Sequence, residues 1–147
     1  MNDDPVLSQY AQRVGYDAQD LAHLGPCDPR RRHIARLAEA GRRFSIVAEV
    51  MEARHCNSGY RPGDRFVLDA DGNFIAKLCP QRICVYLASQ LVVPVALINE
   101  RLSEGLEPNA FHFLRQASCP DQGVACAGYG RVVMKIGAAP RSEAARP

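Results

Sequence analysis

The sequence predicts an α+β fold: a small, mainly antiparallel sheet with a packed central helix and an N-terminal helical extension. Three observations carry this. Apolar residues recur at helical spacing before Gly41, the period changes to that of a strand after it, and the later strands are joined mainly by short, turn-rich connections. In the first 41 residues, Asp4-Pro5 reads as an N-cap and first-turn pair ahead of Val6, Leu7, Tyr10 and Val14, with Gly15 ending the helix. A second short helix is expected from Asp17 to Leu24. A third is expected between Asp28-Pro29 and Gly41, with Ile34, Leu37 and Ala38 as its apolar stripe.

The next segment, 44–51, alternates as a strand with Ile46, Ala48 and Val50 on one face. A turn-rich stretch, 54–64, leads to an expected hairpin with strands 65–68 and 74–78 around Asp69-Ala70-Asp71-Gly72-Asn73. Cys79-Pro80 is read as the start of an apolar helix reaching about Val93, interrupted at Pro94 and resuming over 95–102. Two further strands are expected at 110–118 and 131–136. The domain reading is therefore a helical extension over 1–41, a cysteine-containing α+β domain over 42–137, and a frayed tail over 138–147.

Bulk properties narrow the function classes. A chain of 147 residues with 47% apolar and 23% charged residues can bury a core without disulfides or metal. A net charge of +2 and the absence of Trp argue against nucleic acid as a partner. The longest apolar run, 91–98, is about half of the roughly 20 residues a bilayer requires, so no membrane association is expected. No basic start followed by an apolar stretch is present, and the expected location is the cytoplasm. There the six cysteines read as thiols or metal ligands rather than structural disulfides. No G-x-G-x-x-G or Walker sequence occurs.

Three of the cysteines stand in turns: Cys56-Asn57-Ser58-Gly59-Tyr60-Arg61-Pro62-Gly63-Asp64, Leu78-Cys79-Pro80, and Cys119-Pro120-Asp121. In this order and strand context the segment from Phe44 to Ile136 resembles a family of bacterial and archaeal proteins of about one hundred residues. Its shared pattern is a strand, C-x-x-G-[HY]-x-x-G-D, a C-P helix start and a late C-P-D before a final strand. The family has no agreed biochemical function, so the resemblance implies a fold and a site rather than a reaction. Many members carry His where this chain has Tyr60, and His55 is the candidate replacement.

Several chemistries compete for these residues. Cys56, Cys79 and Cys119 can ligate one Zn²⁺ at about 2.3 Å, with a fourth ligand from His55, His112, Cys84 or Cys126. The chain lacks the C-x-x-C pair usual in structural zinc sites, and small half-buried thiols also suit tight turns simply by packing. Cys79, read as an N-cap with Arg82 nearby, is the candidate nucleophile of a thiol-dependent enzyme, with Asp64 or a histidine as proton acceptor. Asp64 and Asp121 read first as turn-stabilising carboxylates. Cys84 groups with Leu87, Ala88 and Leu91 as a core stripe. His112 is expected to face opposite to Phe111 and Phe113, and His23 and His33 sit on helices without neighbours that suggest ligation. The arginines between Arg30 and Arg43 suit a phosphate or an acidic partner, although such a cluster is more often a solvated helix face. The leading reading is a cysteine-turn site open to a metal, zinc being the candidate, in a metabolic accessory or small-enzyme role. The alternatives are the Cys79 enzyme and a non-catalytic interaction subunit. The partner expected is a second copy or a larger metabolic enzyme.

Overall fold

A computed structural model describes residues 4–146; the first three residues of the extension and the last residue of the tail lie outside it. The described residues form six α-helices and one four-stranded antiparallel sheet, the α+β architecture expected. Helix α1 (Pro5–Val14) begins where the Asp4 carboxylate accepts the Val6 amide at 2.9 Å. It ends at Gly15, whose φ of 83° is the left-handed turn that glycine takes without a Cβ penalty. Helix α2 (Ala18–Ala22) opens on a reciprocal pair, Asp17 and Asp20 each accepting the other's amide. Helix α3 (Pro29–Arg43) is capped by Asp28 and does not stop at Gly41. It passes through that glycine, whose Cα lies against Ala70, and feeds directly into the first strand.

Strand β1 (Phe44–Arg54) is the axis of the sheet, paired on one side with β2 (Arg65–Leu68) and on the other with β4 (Arg131–Pro140). Strand β3 (Gln116–Ser118) completes the order β2-β1-β4-β3. A register shift between Val50 and Glu52 leaves Met51 as the extra residue of a bulge, 54% exposed. The second half of the expected hairpin is not a strand: past a single bridge from Leu68 to Phe74 the chain enters a 3₁₀ turn over Ala76–Leu78.

The apolar stretch after Cys79-Pro80 also departs from expectation. Helix α4 (Val85–Ser89) starts six residues later than Cys79, and α5 (Val92–Ser103) follows after a two-residue break. Pro94 does not interrupt α5. It stands in the first turn, where a backbone N–H has no acceptor within the helix and its absence costs nothing. Residues 110–115 are not strand either: Leu114 has a φ of 58°, and Phe113 faces solvent while Phe111 packs on the core.

One face of the sheet carries Ile46, Ala48, Val50, Phe66, Met134 and Ile136, closed by Leu37 and Ala40 of α3, Leu87 and Leu91 around α4, and Ile98 and Leu102 of α5. Helix α3 thus shares the main core with the sheet, whereas α1 is held mainly through Leu7 and Ala11. The tail is not frayed over the described residues. Ala138, Ala139 and Pro140 pair with Ile46, Ser45 and Phe44, and α6 (Arg141–Ala144) buries Ala144 against Val47 and Val67 on the second face. No described helix is long and apolar enough to cross a membrane.

Candidate functional site

Cys56 follows directly on β1. His55 takes a φ of 53°, turning the chain off the strand, and the Cys56 carbonyl accepts the Gly59 amide at 3.0 Å to close the C-x-x-G turn. Cys119 stands just past β3; its amide donates to Val132 at 2.9 Å, and its Sγ accepts the Asp121 amide at 3.4 Å. Cys84 is the residue before α4, and its amide donates to the Tyr60 hydroxyl at 2.7 Å. These three half-buried thiols, from three segments distant in sequence, line one pocket of about 720 Å³. Tyr86, Pro120 and Val132 supply apolar wall, while His55, Ser58 and Asp121 are polar.

The third sulfur of this pocket is therefore Cys84, in the place expected for Cys79. Cys79 ends the 3₁₀ turn rather than capping a helix, so the free amides that would stabilise a thiolate are missing. Its sulfur instead lies 3.4 Å from both the amide and the carbonyl of Val67, occupying hydrogen-bonding groups at the outer edge of β2. Burial pushes the Cys79 thiol up, against the lowering effect of the Val67 amide. The expected zinc set of Cys56, Cys79, Cys119 and His55 is accordingly not assembled. Among the described residues no group of three or more His, Cys, Asp or Glu side chains is arranged to hold a metal ion. Cys126 and His112 are exposed and lie outside the pocket.

Cys79 does share a separate hollow of about 350 Å³ with Asp64, beside Lys77 and the end of α6. Asp64 is committed to its turn: its side chain accepts the Arg61 amide at 2.8 Å, and its carbonyl accepts the Val50 amide at 2.8 Å. Gly63, at a φ of 94°, returns the contact by donating to Val50.

Asp121 organises the far wall of the thiol pocket. Its two carboxylate oxygens accept the amides of Gly123, Tyr129 and Gly130, all at 3.0 Å, closing the loop between β3 and β4. A Cβ on Gly128 would overlap the same carboxylate. The amide bonds from Gly123, then Gly130 and Tyr129, hold the Asp121 carboxyl below its ordinary value of 3.8. With the folded value below the unfolded one, the stabilisation is fully present above pH 3.8 and is lost as pH falls through the lowered native value. Thermal unfolding followed from pH 6 downward is expected to show this acid loss in the native chain and a flatter profile in Asp121→Asn.

Tyr60 is the residue whose role the sequence left unassigned. It is 5% exposed, packs edge-to-face on Phe66 with centroids 5.2 Å apart, and donates its hydroxyl to the Arg82 carbonyl at 2.9 Å while accepting from Cys84. It thus fixes the loop that presents Cys84. Tyr60→Phe leaves the Cys84 amide and the Arg82 carbonyl without that partner and is expected to cost about 1–3 kcal/mol in denaturant unfolding. Faster alkylation of Cys84 should accompany it; an unchanged rate would show that the hydroxyl does not position the thiol.

Comparison with protein-family models, curated proteins and solved structures returned no match.

Proposed function

We propose that this protein binds a compact, largely apolar small molecule in the pocket of Cys56, Cys84 and Cys119, in a metabolic accessory or small-enzyme role. The observation that carries the reading is the convergence of three thiols from separate turns on one cavity of about 720 Å³. That volume lies within the range of about 300–1,000 Å³ in which small ligands are held, and an apolar wall with a few polar groups is the usual composition. The sulfurs add soft, polarisable contacts. Asp121, with both oxygens engaged by amides, shapes the wall rather than reacting. A zinc-binding version would draw on Cys56, Cys84 and Cys119; the described side chains do not fit that ion as they stand, and no step is derived through it.

The second reading keeps Cys79 as nucleophile and Asp64 as proton acceptor, supported by their shared hollow. Against it, a thiol pushed up by burial holds little thiolate at neutral pH.

One experiment separates the two. The chain is titrated with a neutral apolar fluorophore before and after alkylation, and modified cysteines are located by mass spectrometry. Saturable binding that disappears once Cys56, Cys84 or Cys119 is modified is the expected result. Cys79 should label more slowly than the exposed Cys27. Binding indifferent to modification of all three pocket thiols would sink the first reading, and Cys79 labelling first would favour the second.

A further inference from the structure

We propose that a second site, for a small phosphoryl-bearing molecule, lies in the cleft between α1, α3 and the turn that carries Asp71. The two helices line it at helical spacing: Val6, Tyr10 and Arg13 from α1, and from α3 the pair His33 and Leu37 beside the row Ile34, Ala38 and Arg42. Two hollows, of about 360 and 800 Å³, share Tyr10, Arg13, His33, Leu37 and Asp71 and so form one cleft. Its floor is apolar, built on buried Leu37 with Ile34 and Val95 beside it.

The cleft's charge is unbalanced. Of the other arginines of α3, Arg30 is paired with Asp28 at 2.7 Å, Arg31 donates to the Leu24 carbonyl, Arg32 is paired with Glu104 at 2.7 Å, Arg43 lies over the Phe44 ring, and Arg36 lines a separate hollow with Glu39 and Glu107. The Arg42 side chain makes no ion pair or hydrogen bond among the described residues, and neither does that of His33. The single acid in the lining is Asp71, 3.9 Å from Arg13, with both side chains largely in solvent. An exposed pair at that separation contributes little, and the Arg13 guanidinium, which also lies 5.2 Å from the Tyr10 ring centroid, is held only by these two exposed contacts and can turn to a ligand. Two guanidinium groups and a histidine thus face one carboxylate. A phosphoryl group carries up to two negative charges and several acceptor oxygens, and guanidinium forks match it bidentately. The apolar floor and the Tyr10 ring suit an organic body attached to that group.

The test uses phenyl phosphate, inorganic phosphate and benzoate on the full chain. Binding is measured by calorimetry, and the ring protons of His33, one of four histidines, are followed by NMR. Saturable shifts of His33 are expected, with phenyl phosphate bound more tightly than inorganic phosphate because of the floor, and more tightly than benzoate because of its charge. The double variant Arg13→Gln with Arg42→Gln should weaken phenyl phosphate about tenfold or more, since hydrogen bonds to charged groups are lost. Both side chains are exposed, so the fold should be unchanged by circular dichroism. Shifts that do not saturate, or an affinity unaltered in the double variant, would overturn the site. Benzoate bound as tightly as phenyl phosphate would overturn the phosphoryl assignment. Alkylating the cysteines should leave this binding intact, because no sulfur lines the cleft.

Discussion

Phe66→Ala is expected to destabilise the fold by about 3–5 kcal/mol, the cost of emptying a fully buried aromatic position. Phe66 is 2% exposed and lies at the centre of the main core, opposite Ala48 across β1 and β2. Its ring meets Tyr60 at 5.2 Å and Phe74 at 6.3 Å, both edge-on, and such pairs add about 0.5–1.5 kcal/mol beyond burial. The small residue opposite cannot collapse into the space, so the cavity term is retained. Against a typical total of about 5–15 kcal/mol the loss is a large fraction, and the melting midpoint should fall by about 10 °C or more. The effect reaches the thiol pocket by one route. Phe66 braces the Tyr60 ring, and the Tyr60 hydroxyl holds Cys84. Phe66→Leu refills most of the volume and should restore stability more fully than it restores slow Cys84 alkylation. Equal recovery of both readouts would show that the aromatic contact does not transmit to Cys84.

What could be read from the chain was what local chemistry decides. Asp4-Pro5, Asp28-Pro29 and the αL Gly15 placed the helix ends because caps act within a few residues. The alternation around Ile46, Ala48 and Val50 placed β1 and its inward face. The same local logic misread Cys79-Pro80. That pair has the form of a helix start, but the sulfur sits at the β2 edge through Val67, twelve residues earlier, and the helix waits until Val85. Pro94 reads as a break only if one helix runs on from Cys79-Pro80; a separate helix starting at Val92, thirteen residues past Cys79, moves it from the interior to the first turn. Cys84 packs on the core beside Leu87 and Leu91 as its stripe predicts, whereas the bond that also holds it at the pocket comes from Tyr60, 24 residues away. That Cys56 and Cys119 line one pocket follows the order of their turns, and only the third sulfur there required the tertiary fold.

Gly130→Ala is expected to damage the pocket through the backbone itself. Gly130 is buried at the start of β4, and a Cβ there would fall on the backbone carbonyls of His55 and Arg54. Backbone atoms of a paired strand cannot rotate aside as a side chain can, so the methyl must push β1 and β4 apart at the end of their ladder, where Arg54 pairs with Arg131. Overpacking of this kind costs about 1–3 kcal/mol. The displaced segment is the His55-Cys56 turn, and the Gly130 amide is also one of those held by Asp121. Both walls of the thiol pocket therefore move together. Gly123→Ala is the matched control. Gly123 has a φ of 84° and a ψ of 172°, a region open almost only to glycine, with nothing within 4 Å of an added Cβ, so its cost is backbone strain alone, about 1–3 kcal/mol. Both variants should lose stability in denaturant unfolding, whereas Gly130→Ala should also lose fluorophore binding and expose Cys56 to faster alkylation. A Gly130→Ala protein that binds the fluorophore as well as Gly123→Ala does would show that the turn tolerates the shift, and that the close approach of the two backbones does not shape the pocket.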